Sequence, residues 1–104
     1  MDPPDWLDAS PSEVAALEAA HLQHDFVRTV RIQQERIGET TEGIAQIIGM
    51  HPDQLRRIYR GESRLMMENM VRIARAVGLG VSISLEEVST SGQRVQPAAA
   101  PKRR

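Results

Sequence analysis

Apolar residues recur along the middle of this chain at three- and four-residue steps, the repeat of a helix that buries one side. The first run begins after Ser10-Pro11-Ser12-Glu13. A serine cap, a proline at the first helical position and a glutamate three residues after the serine make a capping-box start. Val14, Leu17, His21 or Leu22, Phe26, Val30, Gln33 and Ile37 follow at helical spacing, and Gly38 is placed to end the run as a left-handed cap. The spacing fits one long helix, or two broken near Gln23–Asp25. Three shorter helices follow, each closed by a glycine. Thr40 to Ile48 starts on a threonine cap, places Ile44, Ile47 and Ile48 on an apolar face and stops at Gly49. The next opens at Pro52, buries Leu55 and Ile58 and stops at Gly61. The last runs from about Leu65 to Val77, with Met67, Met70, Val71, Ile73, Ala74 and Val77 apolar, and stops at Gly78.

The period then changes. Val81-Ser82-Ile83-Ser84-Leu85 alternates apolar and polar, which predicts a strand-like extension over 81–88. A lone strand leaves its backbone groups unpaired, and the chain offers no second convincing strand. The expected partner is therefore the same segment of a second copy. The competing arrangement is an irregular extension, with dimerisation through helices such as the Val14–Leu22 face. Outside the helical domain of residues 10–80, the acidic arm 1–9 has Trp6 and Leu7 as its only anchors. The basic tail 89–104 has the composition of a disordered segment.

Composition narrows the function classes. One domain is all that 104 residues hold, and its core is small. The absence of cysteine excludes disulfide scaffolds, thiolate zinc sites and cysteine nucleophiles, and fits a reducing cytoplasm. The start lacks the basic and apolar regions of a signal peptide, and no run is apolar enough for a bilayer, so no membrane partner is expected. Three aromatic residues are too few for base-stacking platforms. The net charge of −1 speaks against nucleic acid, but its distribution does not. Residues 1–25 hold six carboxylates and no Lys or Arg; residues 26–80 hold nine arginines against six carboxylates. Such asymmetry points to a basic functional centre, and an arginine-rich solvated face is the plainer explanation.

Two helices joined across Gly49-Met50-His51, with the small Ala45 where they approach, make a helix-turn-helix pattern. Gly49 accommodates the positive φ of a tight exit, and Leu55 and Ile58 plug the second helix onto the first. Asp53, Gln54, Arg56, Arg57 and Arg60 are then left facing outward. Ile44-Ala45-Gln46-Ile47-Ile48-Gly49, then Leu55, Ile58 and Gly61, then Val71-Arg72-Ile73-Ala74-Arg75-Ala76-Val77-Gly78 resemble the phage-repressor/Cro (XRE-like) helix-turn-helix family. The likeness runs without gaps from about Phe26 to Gly78, and its last block, an Ile-Ala-x-Ala-Val-Gly, is its most specific part. It implies an all-α fold: a lambda-repressor-like bundle of four to five helices. The chain departs from the family at several sites. Thr41 stands where a phosphate-binding Gln is common, and His51 where the recognition helix is usually capped by Ser or Thr. Pro52 and Asp53 occupy the first recognition positions, and Leu65-Met66 replaces a Pro-Ser/Thr start.

From the resemblance the candidate DNA-binding residues are Thr41, His51, Asp53, Gln54, Arg56, Arg57, Arg60 and Arg64. Arg57, in the middle of the recognition helix, is the foremost base-reading candidate, because arginine can be bidentate to guanine; Gln54 comes next. Thr41, Arg56, Arg60 and Arg64 are better placed for phosphates. Asp53 could accept only from a cytosine amino group, and a carboxylate there is favoured by the helix dipole whatever the function. His21 and His24, with Glu18 or Asp25, could clamp a metal, but surface histidines are the plainer reading, and no metal or cofactor is expected. Met67 and Met70 read as core, and Tyr59 as a half-buried packing residue with a wet hydroxyl. No nucleophile with its base, phosphate-cradling loop or carboxylate pair indicates an enzyme. The expected function is a homodimeric, sequence-specific double-stranded DNA-binding regulator, usually a repressor. A variant is the antitoxin of a toxin–antitoxin pair, with residues 1–25 wrapping the toxin partner. The rival class is a protein-interaction module that keeps the fold without DNA.

Overall fold

Ser10 opens the first helix as the local pattern requires. Its hydroxyl accepts from the Glu13 N–H at 3.1 Å, and the Glu13 carboxylate accepts from the Ser10 N–H at 2.8 Å. In this computed structural model, which describes residues 10–88 and the backbone of 94–95, α1 then runs unbroken from Pro11 to Arg36. Three short helices follow: α2 (Thr41–Ile48), α3 (Pro52–Tyr59) and α4 (Met67–Ala76). The described residues are thus mostly helical. The acidic arm 1–9 and most of the basic tail 89–104, with what the sequence leads one to expect of them, lie outside the described residues.

α2 is the central element and packs against both α3 and α4. Ile44, Ala45 and Ile48 from α2, Leu55 from α3, Ile73 and Val77 from α4 and its end, and Val30 from α1 form one buried cluster. Ala45 is 0% exposed, so no larger side chain fits where α2 meets its neighbours. α2 ends at Gly49 with φ of 73°, a left-handed geometry that lets the chain turn sharply into α3. The guanidinium of Arg72 on α4 donates to the Ile48 carbonyl, satisfying an end group of α2 and placing a cation at its negative pole.

Short helices leave many unpaired backbone ends, and α1 supplies much of the remedy through glutamines. Gln23 donates to the carbonyls of Ile58 (2.9 Å) and Ser63 (2.8 Å) while its oxygen accepts from the Leu65 N–H (3.1 Å). One side chain thus fastens the end of α3 and the loop after it. Gln33 donates to the Val77 carbonyl at the end of α4. Gln34, the one buried polar residue among the described residues, accepts from the Tyr59 hydroxyl at 3.0 Å and donates to Thr41 Oγ1 at 3.2 Å.

Several sequence expectations are corrected. On α1 burial begins only at Gln23 and Phe26 and runs through Val27, Val30 and Gln34; Val14, Leu17, Leu22 and Ile37 are exposed. Ile47 is 59% exposed, since Ile44, Ala45 and Ile48 set the inward side of α2 and residue 47 lies about a quarter turn or more away. Val71 is exposed for the same reason on α4. Met67 opens that helix ahead of the core-forming Ile73, Ala74 and Val77, and is exposed rather than packed. The Tyr59 hydroxyl is bonded to a buried amide, not wet. Among the described residues, strand structure near the end is β1 (Glu87–Val88), which pairs antiparallel with β2 (Arg94–Val95) of the same chain. The alternation at Val81–Leu85 is real in sequence, yet Val81, Ile83 and Leu85 are exposed, Val81 least as it lines a pocket with Phe26 and Thr29, and no strand forms over these residues.

Replacing Gln23 by leucine should lower unfolding free energy by about 1–3 kcal/mol, because two carbonyls and one N–H lose their partner together. Denaturant unfolding followed by circular dichroism measures it, and a loss below a few tenths would show that water replaces the amide without cost.

Candidate nucleic-acid interface

Leu55 and Ile58, both 0% exposed, anchor α3 to the core and fix which of its residues look outward. Asp53, Arg57 and Arg60 are exposed; Gln54, Arg56 and Tyr59 sit at the margin, half-buried. His51 caps the helix, its Nδ1 accepting from the Asp53 N–H at 3.1 Å, so this unusual cap performs the duty of a serine. Pro52 fills the first helical position, where no N–H is needed.

The proposed contact residues fall into three groups. Arg57 and Arg64 are exposed and their side chains make no hydrogen bond or ion pair among the described residues, though Arg57 is near enough to Glu62 to help hold its carboxyl down. Arg56 and Arg60 are engaged. Arg56 donates to Asp53 at 2.7 Å and also bonds Glu42 of α2, tying the two helices together at the surface. Arg60 takes Glu62 through two hydrogen bonds of 2.9 and 3.1 Å. The Glu42 carboxyl is held below its usual range by its own backbone N–H first and then by Arg56; that of Glu62 is held down chiefly by its bond with Arg60. Gln54 forms the third group. Its amide donates to Ser63 Oγ at 3.1 Å, so it serves the loop after α3 instead of standing free to read a base.

Thr41, at the first position of α2, has its hydroxyl oxygen occupied as an acceptor by Gln34. Its O–H remains available to donate, which suits a phosphate oxygen. The chain Tyr59–Gln34–Thr41 therefore sets a donor at the rim from inside the core. Sequence reasoning missed Gln34, Glu42 and Gln23. The glutamines sit three turns apart on the stripe that buries Phe26, Val27 and Val30, and a polar residue recurring on an apolar stripe is the signal that would have found them. His21 and His24 lie exposed on α1, with His24 Nδ1 3.7 Å from Asp25.

Compared with models of known protein families, with curated proteins and with solved structures, the chain matches none. Among the described residues, no helix is long and apolar enough to cross a membrane.

Burial pushes the Tyr59 phenol up from its ordinary value of 10 to about 12, and Arg31, 5.8 Å from the ring centroid, opposes the shift. The folded state thus holds the phenolic proton more tightly than the unfolded chain. Its contribution to stability is complete below pH 10 and is lost as the pH climbs toward 12. Tyr59 is the only tyrosine, so the near-ultraviolet phenolate absorbance of the native protein should titrate about two units above that of the denatured protein. Coincident curves would place the ring in water.

Proposed function

We propose that this chain is a sequence-specific double-stranded DNA-binding regulator of transcription, a lambda-repressor-like helical domain acting as a homodimer. The observation that carries the reading is α3 itself. A helix of eight residues is held from behind by Leu55 and Ile58, crosses out of the α2 turn at Gly49, and presents Arg57 and Arg60 on its open side. Its length of about 12 Å matches the width of a major groove. Arg57, whose side chain makes no hydrogen bond among the described residues, is the base reader; Thr41, Arg60 and Arg64 take phosphates, and α2 crosses the backbone. The resemblance of Ile44–Gly49 and Val71–Gly78 to phage-repressor proteins supports the same assignment.

The ion pairs qualify the affinity rather than the docking. An exposed pair such as Arg60–Glu62 is screened by solvent and weakly held, so a phosphate can take the arginine from its carboxylate. The displaced Glu42 and Glu62 then face a polyanion. Weak, steeply salt-dependent binding follows. The same carboxylates favour the second reading, an interaction module without DNA, since they neutralise two of the four arginines on this face.

Binding to bulk duplex at low salt separates the two: affinity that falls steeply with added salt supports DNA, and no affinity supports the module. Sequences selected from a random duplex pool then give the site. Arg57→Ala should relax preference at one base pair per half-site, at about 1–3 kcal/mol. Arg60→Ala should weaken all sequences alike and flatten the salt slope by about one charge. Uniform loss in both variants would overturn the division of roles.

A further inference from the structure

A primary amide accepts at one end and donates at the other, so a glutamine held between two hydroxyls has two possible orientations. Gln34 is in that position, its Oε1 3.0 Å from the Tyr59 hydroxyl and its Nε2 3.2 Å from Thr41 Oγ1. Either orientation makes two hydrogen bonds, and the protons left over separate them. As the amide stands, Oε1 accepts the phenolic proton and Nε2 donates to Thr41. Reversed, Nε2 would donate to the phenol and Oε1 would accept from Thr41. The proton of half-buried Tyr59 would then have no acceptor, since among the described residues its hydroxyl bonds Gln34 alone. A donor left unbonded inside a protein is costly. Arg31, 5.8 Å from the ring centroid, adds a positive charge that makes the phenol a better donor and a poorer acceptor. Thr41 is different: it stands half-buried at the start of α2, where solvent can take its proton.

We propose that Gln34 and Tyr59 are positioning residues for phosphate: the phenolic proton locks the Gln34 amide, and the locked amide turns the Thr41 O–H away from the core, toward a phosphate oxygen of the duplex. The proposal rests on the DNA-binding reading above and deepens it, giving two residues behind the surface a share in the contact. An unheld threonine hydroxyl rotates and donates outward only part of the time, which lowers its apparent affinity by that fraction. Here one lone pair of Oγ1 is engaged by Nε2, so the inward direction is closed to the proton before DNA arrives. The positive end of α2 lies at the same residue. Glu42, next to it, is the charge that would oppose a phosphate, and Arg56 pairs with it. Thr41 itself is neutral, so its contact adds direction and affinity without releasing a counterion.

Binding of the full chain to mixed-sequence duplex DNA over a series of low salt concentrations tests this, through the cost of Thr41→Val in two backgrounds. In the otherwise wild-type chain that substitution should weaken binding about fivefold to tenfold with the salt slope unchanged, and Thr41→Ser should bind as the wild type does. In a Gln34→Glu chain the carboxylate can only accept. It takes the Tyr59 proton on one oxygen and the Thr41 proton on the other, so the threonine is already turned inward. Thr41→Val should then cost less than about twofold. The added carboxylate acts on both members of that pair alike and cancels from the comparison. An equal cost in the two backgrounds, or a Thr41→Val chain that binds like the wild type, overturns the proposal and, with duplex affinity retained, leaves the DNA-binding reading in place. A wild-type chain without duplex affinity removes that reading and this proposal with it. If Gln34→Glu loses its helical circular dichroism, Tyr59→Phe takes its place. Its unlocked amide populates both orientations, so the cost of Thr41→Val should fall to about half its wild-type value, and an unchanged cost overturns the proposal.

Discussion

The constraint on which the structure depends is the supply of partners for the ends of short helices. α2 and α3 have eight residues each, so end groups outnumber the hydrogen bonds such helices can make internally. Caps at Thr40 and His51 serve the starts. The finishes are served from a distance: Arg72 reaches the end of α2, Gln23 the end of α3, and Gln33 the end of α4. Two of these three come from α1. The long helix is therefore less a slab of core than a rail of side-chain amides along which shorter elements are hung.

That division of labour leaves the outer side of α3 free of structural duty. Leu55, Ile58 and Gln23 hold the helix from behind, so Arg57 can be changed without touching the core. Arg56 cannot be treated the same way. Its bonds to Glu42 and Asp53 join α2 to α3 across the surface, and its loss would leave two neighbouring carboxylates uncompensated. Contact residues named from position alone thus separate, in three dimensions, into free, paired and inward-turned groups.

How far the fold was legible follows from the range of each interaction. Ser10 with Glu13, Thr40 with Gly43, and the left-handed Gly49 are local, and residue type with spacing was enough to read them. So was the inward pair Leu55 and Ile58, three apart on one helix. Gln23, Gln34 and Arg72 find partners 7 to 42 residues away, and no local pattern encodes which backbone group an amide will meet. Gln54 shows the consequence for the site. At its position an outward role was the simpler inference, and only the fold of the 61–66 loop brings Ser63 within reach of it. Val81, Ile83 and Leu85 differ again: alternation sets a strand only where a neighbouring strand pairs with it, and in the single chain these residues are exposed and form none.

The overhang of α1 raises a last question, why a helix persists for three turns and more with no core beneath it. Nucleation is the costly step of helix formation, and here it is already met by the packed half from Gln23 onward. Extension adds one hydrogen bond per residue ordered, and Ala15, Ala16, Ala19 and Ala20 have the highest propensity of any residue type. The capping box at Ser10 then closes the far end, where fraying would start. Stability of this half rests on propagation and capping, not on burial. It is consequently a rigid projection that can carry apolar and acidic side chains clear of the domain, while the sequence beneath it remains free of the requirement to fit a core.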